Sequence, residues 1–163
     1  MASSADRESA LRILFVDAGN YSRSPAAEVL TRRLVEKNGL SGSVTVTSAG
    51  LKDKHAGDPP DPRTVAGCAA RGLDLSTFRC RQIGQEDFES DLILAMDSDN
   101  LAALNAMKPA HSGARIDLFL SFAGGGDVPD PYYGGPEGFD EMMVLIERGA
   151  AALIANLPGR SAA

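Results

Sequence analysis

The run Leu11-Arg12-Ile13-Leu14-Phe15-Val16-Asp17-Ala18-Gly19-Asn20-Tyr21-Ser22-Arg23-Ser24-Pro25 decides how the rest of the chain is read. Its first six residues are almost uniformly apolar, as a strand covered on both faces must be. Pro25 suits the first turn of a helix, and Val29, Leu30, Leu34 and Val35 then supply an apolar stripe that ends near Gly39. Between strand and helix lies a loop, Asp17 to Ser24. The alternation continues outward from there. Ser43 to Ser48 alternates Val and Thr and predicts a second strand. Asp61-Pro62 offers an N-cap and a first-turn proline to a second helix, closed by Gly72. Asp91 to Met96 predicts a third strand, and Ser98 to Met107 a helix stopped by Pro109. Arg115 to Leu120 predicts a fourth strand, followed by a glycine-rich loop and a long helix from about Glu137 to Leu157. Strand and helix alternating four times predict an α/β fold: a single three-layer domain, with a four-stranded parallel sheet and helices on both faces. Residues 1–10 and 159–163 are expected to be flexible tails around a domain spanning 11–158. Ligands of such folds sit beyond the carboxyl ends of the strands, which directs attention to Asp17–Ser24 and Ser121–Pro136.

Composition narrows the function. A chain of 163 residues is one domain's worth and needs no disulfide or metal staple. Sixteen Lys and Arg against 22 Asp and Glu leave a formal charge of −6, without the basic surplus of a nucleic-acid binder. Any anion must therefore be held by a local device working against a repulsive overall field. Cys68 and Cys80 are too few for a disulfide framework, and with His55 and His111 far apart no zinc-ligand spacing exists. No apolar run approaches the roughly 20 residues of a membrane span, and the N-terminus lacks a secretory apolar core. The expectation is a cytoplasmic protein with free thiols, no metal and no membrane partner.

The loop itself describes an anion cradle. Backbone N–H groups between a strand end and a helix N-terminus can converge on one concavity, where the helix dipole adds positive potential. Gly19 permits backbone angles other residues resist. Arg23 offers a planar fork to two oxygens of a bound anion. An ordinary strand-to-helix turn with a surface arginine has the same spacing. No Gly-Lys-Ser/Thr ending is present, so this is not a nucleoside-triphosphate loop, and one glycine makes no dinucleotide fingerprint.

The loop resembles the signature of the low-molecular-weight protein tyrosine phosphatases, in which Cys, five residues, Arg and Ser bind phosphate. Likeness runs from about Leu11 to Leu157. It includes Leu14-Phe15-Val16, Gly19-Asn20, Arg23-Ser24-Pro25-Ala26-Ala27-Glu28, Ser48-Ala49-Gly50, Asp61-Pro62-Arg63, Arg81-Gln82, Asp91-Leu92-Ile93-Leu94-Ala95-Met96-Asp97 and Val128-Pro129-Asp130-Pro131-Tyr132-Tyr133-Gly134-Gly135. The resemblance implies a flavodoxin-like fold of the phosphotyrosine phosphatase I type. It implies that Arg23 clamps the phosphoryl group, that N–H groups from Ala18, Gly19, Asn20, Tyr21, Ser22 and Arg23 ring its oxygens, and that Ser24 stabilises the nucleophile. Asn20 and Ser48 would brace the loop, Asp130 would be the general acid, and Tyr132 and Tyr133 would flank the pocket mouth. No cofactor is implied. The implied partners are phosphotyrosine proteins or peptides, phosphate and other oxyanions, with the chain a monomer or weak dimer.

Asp17 departs from that pattern, because it stands where the family carries its nucleophilic cysteine. A carboxylate is a much weaker nucleophile than a thiolate, and it is one atom longer. The departure is compatible with an engineered inactivation, a natural loss, or a modified cysteine written as aspartate. An inactive phosphatase and a natural pseudophosphatase that captures oxyanions without turnover are thus the two expectations. A working aspartyl-phosphate site fits less well, since the second carboxylate it needs two residues on is Gly19. Asp17, held by loop N–H groups and Arg23, is expected to have a lowered pKa. Lys54 replaces an aromatic pocket wall, Phe78 a loop-bracing histidine, and Ser22 the second cysteine of some relatives.

Overall fold

Residues 10–132 and 134–157 are described by the structure, a computed structural model. The expected tails, residue 10 apart, and Tyr133 lie outside them. The chain order is β1 (Leu11–Asp17), α1 (Arg23–Lys37), β2 (Val44–Gly50), α2 (Pro62–Ala69), a 3-10 turn (Gln85–Glu89), β3 (Leu92–Ala95), α3 (Ser98–Met107), β4 (Arg115–Leu118), a second 3-10 turn (Phe119–Ala123) and α4 (Pro136–Ala155). The four strands are all parallel, in the order β2-β1-β3-β4.

The apolar run of β1 is continuous because both of its faces are covered. Side chains alternate across a strand, so Ile13 and Phe15 point into one core and Leu14 and Val16 into the other. The first core joins α1, α2 and α4 to the sheet through Leu30, Val35, Cys68, Met142, Ile146 and Leu153. The second packs Ile93, Ala95, Phe88 and Leu104 of α3 against the opposite face. Phe119 meets Phe15 edge to face at 5.1 Å, which is why the predicted fourth strand stops at Leu118 and tightens into a 3-10 turn. Gly149 of α4 lets that ring in, since a Cβ there would lie 2.7 Å from Phe119 Cζ.

Two expected boundaries shift in a way that matters. Asp17 closes β1 instead of opening the loop, and Arg23 and Ser24 already belong to α1. The strand order reverses beside β1, and the crevice between the carboxyl ends of β1 and β3 opens there. Asp17 pairs in register with Gly50 at the last rung of β1 and β2. The segment after β2 is then stitched to the loop: Leu51 N–H donates to Asp17 O at 3.0 Å and Lys52 N–H to Ala18 O at 2.9 Å.

Candidate active site

The loop after β1 wraps around the Asp17 carboxyl group. Asn20 N–H donates to Oδ1 at 2.5 Å and Ser24 N–H to Oδ2 at 2.9 Å. Asn20 carries the turn at φ +56°, a left-handed conformation that asparagine tolerates better than most residues. Its side chain locks that conformation from three sides. Nδ2 donates to Ser24 Oγ at 2.8 Å and Ser48 Oγ at 3.0 Å, while Oδ1 accepts from Arg81 N–H at 2.9 Å. Ser48 in turn donates to Glu28 Oε1 at 2.8 Å. Asn20 is fully buried and outside the cavity, so its N–H serves Asp17 and not the ring of donors expected for an anion. Phe78 packs against the larger core.

Gly50 is the backing of this loop. A Cβ there would lie 2.5 Å from Gly19 C and 2.6 Å from Asn20 N, both of them backbone atoms. Gly50→Ala is therefore expected to displace the loop and to destabilise the fold by about 1–3 kcal/mol, the usual cost of overpacking. Denaturant unfolding measures the loss, and an unchanged midpoint would show that the loop yields freely.

A cavity of about 250 Å³ opens beyond the carboxyl end of β1. It is lined by the cradle residues Asp17, Ala18, Gly19, Tyr21, Ser22 and Arg23. Facing them are Lys52, Lys54 and His55 from the segment after β2, and Asp130 and Tyr132 from the loop after β4. Arg23 is only 3% exposed, and its charge is paired. Nη1 donates to Asp97 Oδ2 at 2.7 Å and to the Val128 carbonyl at 2.9 Å, and Nη2 lies 3.6 Å from Asp130 Oδ2. Asp97 is the N-cap of α3, accepting from Asn100 N–H at 2.7 Å, so one carboxylate fixes both a helix end and the arginine. Asp130 is about half exposed, and its Oδ1 accepts from Tyr132 N–H at 3.0 Å in a tight turn before the cavity. Ser22 Oγ is buried without a hydrogen-bond partner. Eight expected site residues thus line the cavity with Asp17, namely Ala18, Gly19, Tyr21, Ser22, Arg23, Lys54, Asp130 and Tyr132, while Ser24, Asn20 and Ser48 stand behind the loop.

The structure overturns the expectation for the Asp17 pKa. Burial raises it above the ordinary carboxylate value, and the Arg23 charge and the loop N–H groups, which act the other way, do not cancel that cost. The sign has a consequence for stability. The folded chain holds the Asp17 proton more tightly than the unfolded chain does. Stability therefore falls as pH rises from 3.8 through the raised folded value. Asp17→Asn cannot titrate and escapes that loss. Its unfolding midpoint, relative to the unaltered chain, is expected to improve steadily as pH rises across this window. A difference that stays constant with pH would contradict the buried, proton-retaining carboxyl.

Several contributors were not foreseen. Asp97 and Glu28 act at a distance in sequence, and Lys52 and His55 flank Lys54, the one residue of the segment after β2 that was expected at the pocket. Asp97 was findable, because it ends the strand beside β1 at the reversal of strand order. Cys68 and Cys80 are buried thiols pushed up to about 11, chiefly by burial, and are correspondingly unreactive. Among the described residues no three His, Cys, Asp or Glu side chains group as a metal site, and no helix is long and apolar enough to cross a membrane.

A parallel sheet with a cradle after β1, an arginine in its wall and an aspartate across its mouth is an α/β arrangement with the groups to hold an anion. The family model for low molecular weight phosphotyrosine protein phosphatase matches residues 12–162. A low molecular weight protein-tyrosine-phosphatase of Streptomyces coelicolor is 40% identical over 162 residues, covering 93% of this chain and 98% of the relative. The crystal structure of YfkJ from Bacillus subtilis superposes with a TM-score of 0.83 at 36% identity, covering 90% of this chain and 94% of that one. That of Vibrio vulnificus Wzb in complex with benzylphosphonate gives 0.79 at 30% identity, covering 90% and 99%. The chain belongs to the low-molecular-weight phosphotyrosine protein phosphatase family.

Proposed function

We propose that this chain is a phosphotyrosine-protein phosphatase in all but its nucleophile, and that with Asp17 in place it does not turn over. One observation carries the reading. The Asp17 carboxyl group sits on the Asn20 and Ser24 N–H groups at the floor of a cavity walled by Arg23 and Asp130. In the proposed reaction the same N–H groups hold a thiolate.

With a thiol at this position, sulfur attacks phosphorus as the bond to the aryl oxygen breaks. Asp130 gives its proton to the departing phenolate, then takes one from the water that attacks the phosphocysteine and releases phosphate. Arg23 and the loop N–H groups hold the non-reacting oxygens, and Ser24 steadies the thiolate. A carboxylate held this way is a poor nucleophile and fills space that the phosphoryl group needs. The benzylphosphonate bound by Wzb, an aryl group carrying a phosphonate, is the kind of ligand the cavity's Tyr21, Tyr132 and Arg23 suit.

The test is an assay of Asp17→Cys on phosphotyrosine and phosphoserine peptides. Preferential release of phosphate from phosphotyrosine supports the reading, and inertness of a folded variant contradicts it. The second reading, oxyanion capture without turnover, draws on the same lining: Lys52 and Lys54 face the cradle across the cavity of an otherwise acidic protein. A cytoplasmic address and a monomer or weak dimer complete the proposal.

A further inference from the structure

We propose that Lys54 gates the aromatic wall of the cavity, and that an acidic residue flanking the phosphotyrosine of a substrate opens the gate. The proposal rests on the phosphotyrosine reading above and adds to it a preference among substrates.

Tyr132 is the aromatic wall on the Asp130 side, and the Lys54 ammonium lies over its ring, 5.4 Å from the centroid. Tyr21 lies across from it, backed by His55. The Tyr21 and His55 rings stack at 3.8 Å and 9°, and His55 also rests against Gly19 of the cradle. The Tyr21 and Tyr132 centroids are 6.3 Å apart, with the rings tilted by 57°. A third ring stacked between them would need about 7–8 Å, two carbon contact distances. An entering aryl group therefore cannot slip between the two tyrosines as they stand. It has to pack on a ring face, and the ammonium lies over that of Tyr132.

Lys54 is exposed on a flexible stem, so displacing it costs only the cation–π attraction. A carboxylate next to the substrate tyrosine supplies an alternative partner. It draws the ammonium off the ring as the phosphoryl group seats on the cradle, so the acidic neighbour both pairs with Lys54 and uncovers Tyr132. A neutral peptide, or a bare aryl phosphate, must displace Lys54 unaided. This differs from simple charge attraction in one respect: removal of Lys54 should help the neutral ligands.

The test is calorimetry at low salt on the Asp17→Ser protein. The ligands are a phosphotyrosine peptide with acidic neighbours, one with neutral neighbours, and phenyl phosphate. The acidic peptide is expected to bind about two- to fivefold more tightly than the neutral one, the scale of an exposed ion pair. Adding Lys54→Ala should abolish that preference and tighten the neutral peptide and phenyl phosphate by about two- to fivefold. Lys52→Ala, which removes a second lysine from the same cavity, should tighten neither. Neutral ligands that bind Lys54→Ala no better than its parent would overturn the gate. So would equal tightening by Lys52→Ala. If Asp17→Ser binds inorganic phosphate but neither peptide, the phosphotyrosine reading itself fails and takes the gate with it.

Discussion

Asp17→Cys is expected to hydrolyse aryl phosphates at a rate on the order of 10⁴–10⁶ above the unaltered chain, the range over which enzymes register the loss of a nucleophile or its activating partner. The residues proposed for the other roles lie around position 17 and its cavity. Arg23 is oriented by Asp97 and the Val128 carbonyl, and Ser24 and Asn20 present N–H groups to side-chain atoms at position 17. Asp130 stands 3.6 Å from Arg23 at the mouth. In the Asp17→Cys background, Asp130→Ala should lower kcat by about 10²–10⁴, the worth of general acid catalysis. That loss should shrink for substrates whose leaving phenol is already acidic and needs no proton. An equal loss for all leaving groups would move the acid's role elsewhere.

Phosphate and vanadate should bind Asp17→Ser more tightly than the unaltered chain by about tenfold or more at neutral pH, a difference of roughly 1.4 kcal/mol or greater. Two effects add. The Asp17 carboxyl group occupies the floor of the cradle and takes up the Asn20 and Ser24 N–H groups, and when ionised it repels an incoming anion. The raised pKa sorts them. As pH falls through the Asp17 value, repulsion disappears but occupancy remains, so the gap between the two proteins should narrow without closing. Titration calorimetry at several pH values reads both. Equal affinities throughout would mean that the carboxyl group does not obstruct the cradle.

The parts of this molecule legible in its sequence are those set by local periodicity. The uniform apolarity of β1 announced a strand with two covered faces, and Ser98 to Met107 is a helix with the expected bounds, stopped before Pro109. Phe119 and Leu120 read as strand because they are apolar. Packing of Phe119 on Phe15 and into the notch at Gly149 turned them into a 3-10 segment, and no local signal carries that contact. Gathering of the site followed the same division. The cradle was visible as a contiguous motif. The Asp97 grip on Arg23 and the His55 stack on Tyr21 join residues from separate crossovers, and only the strand order reveals such pairs. The Asp17 pKa had the wrong expected sign for a related reason. Its donors were readable from the loop, but depth of burial depends on the elements that close over it, and here burial outweighs the donors.

If position 17 is the seat of the nucleophile, rapid-quench mass spectrometry will trap the phosphoryl group there. Asp17→Cys is mixed with an aryl phosphate, quenched within a turnover, digested and mapped. Asp130→Ala in the same chain slows leaving-group departure, while Asp130→Asn offers a second way to change the balance between formation and breakdown of the adduct. A phosphoryl group is expected on the residue at position 17 and on no other. Turnover with no adduct there, or an adduct on Cys68, Cys80 or Ser22, would contradict it.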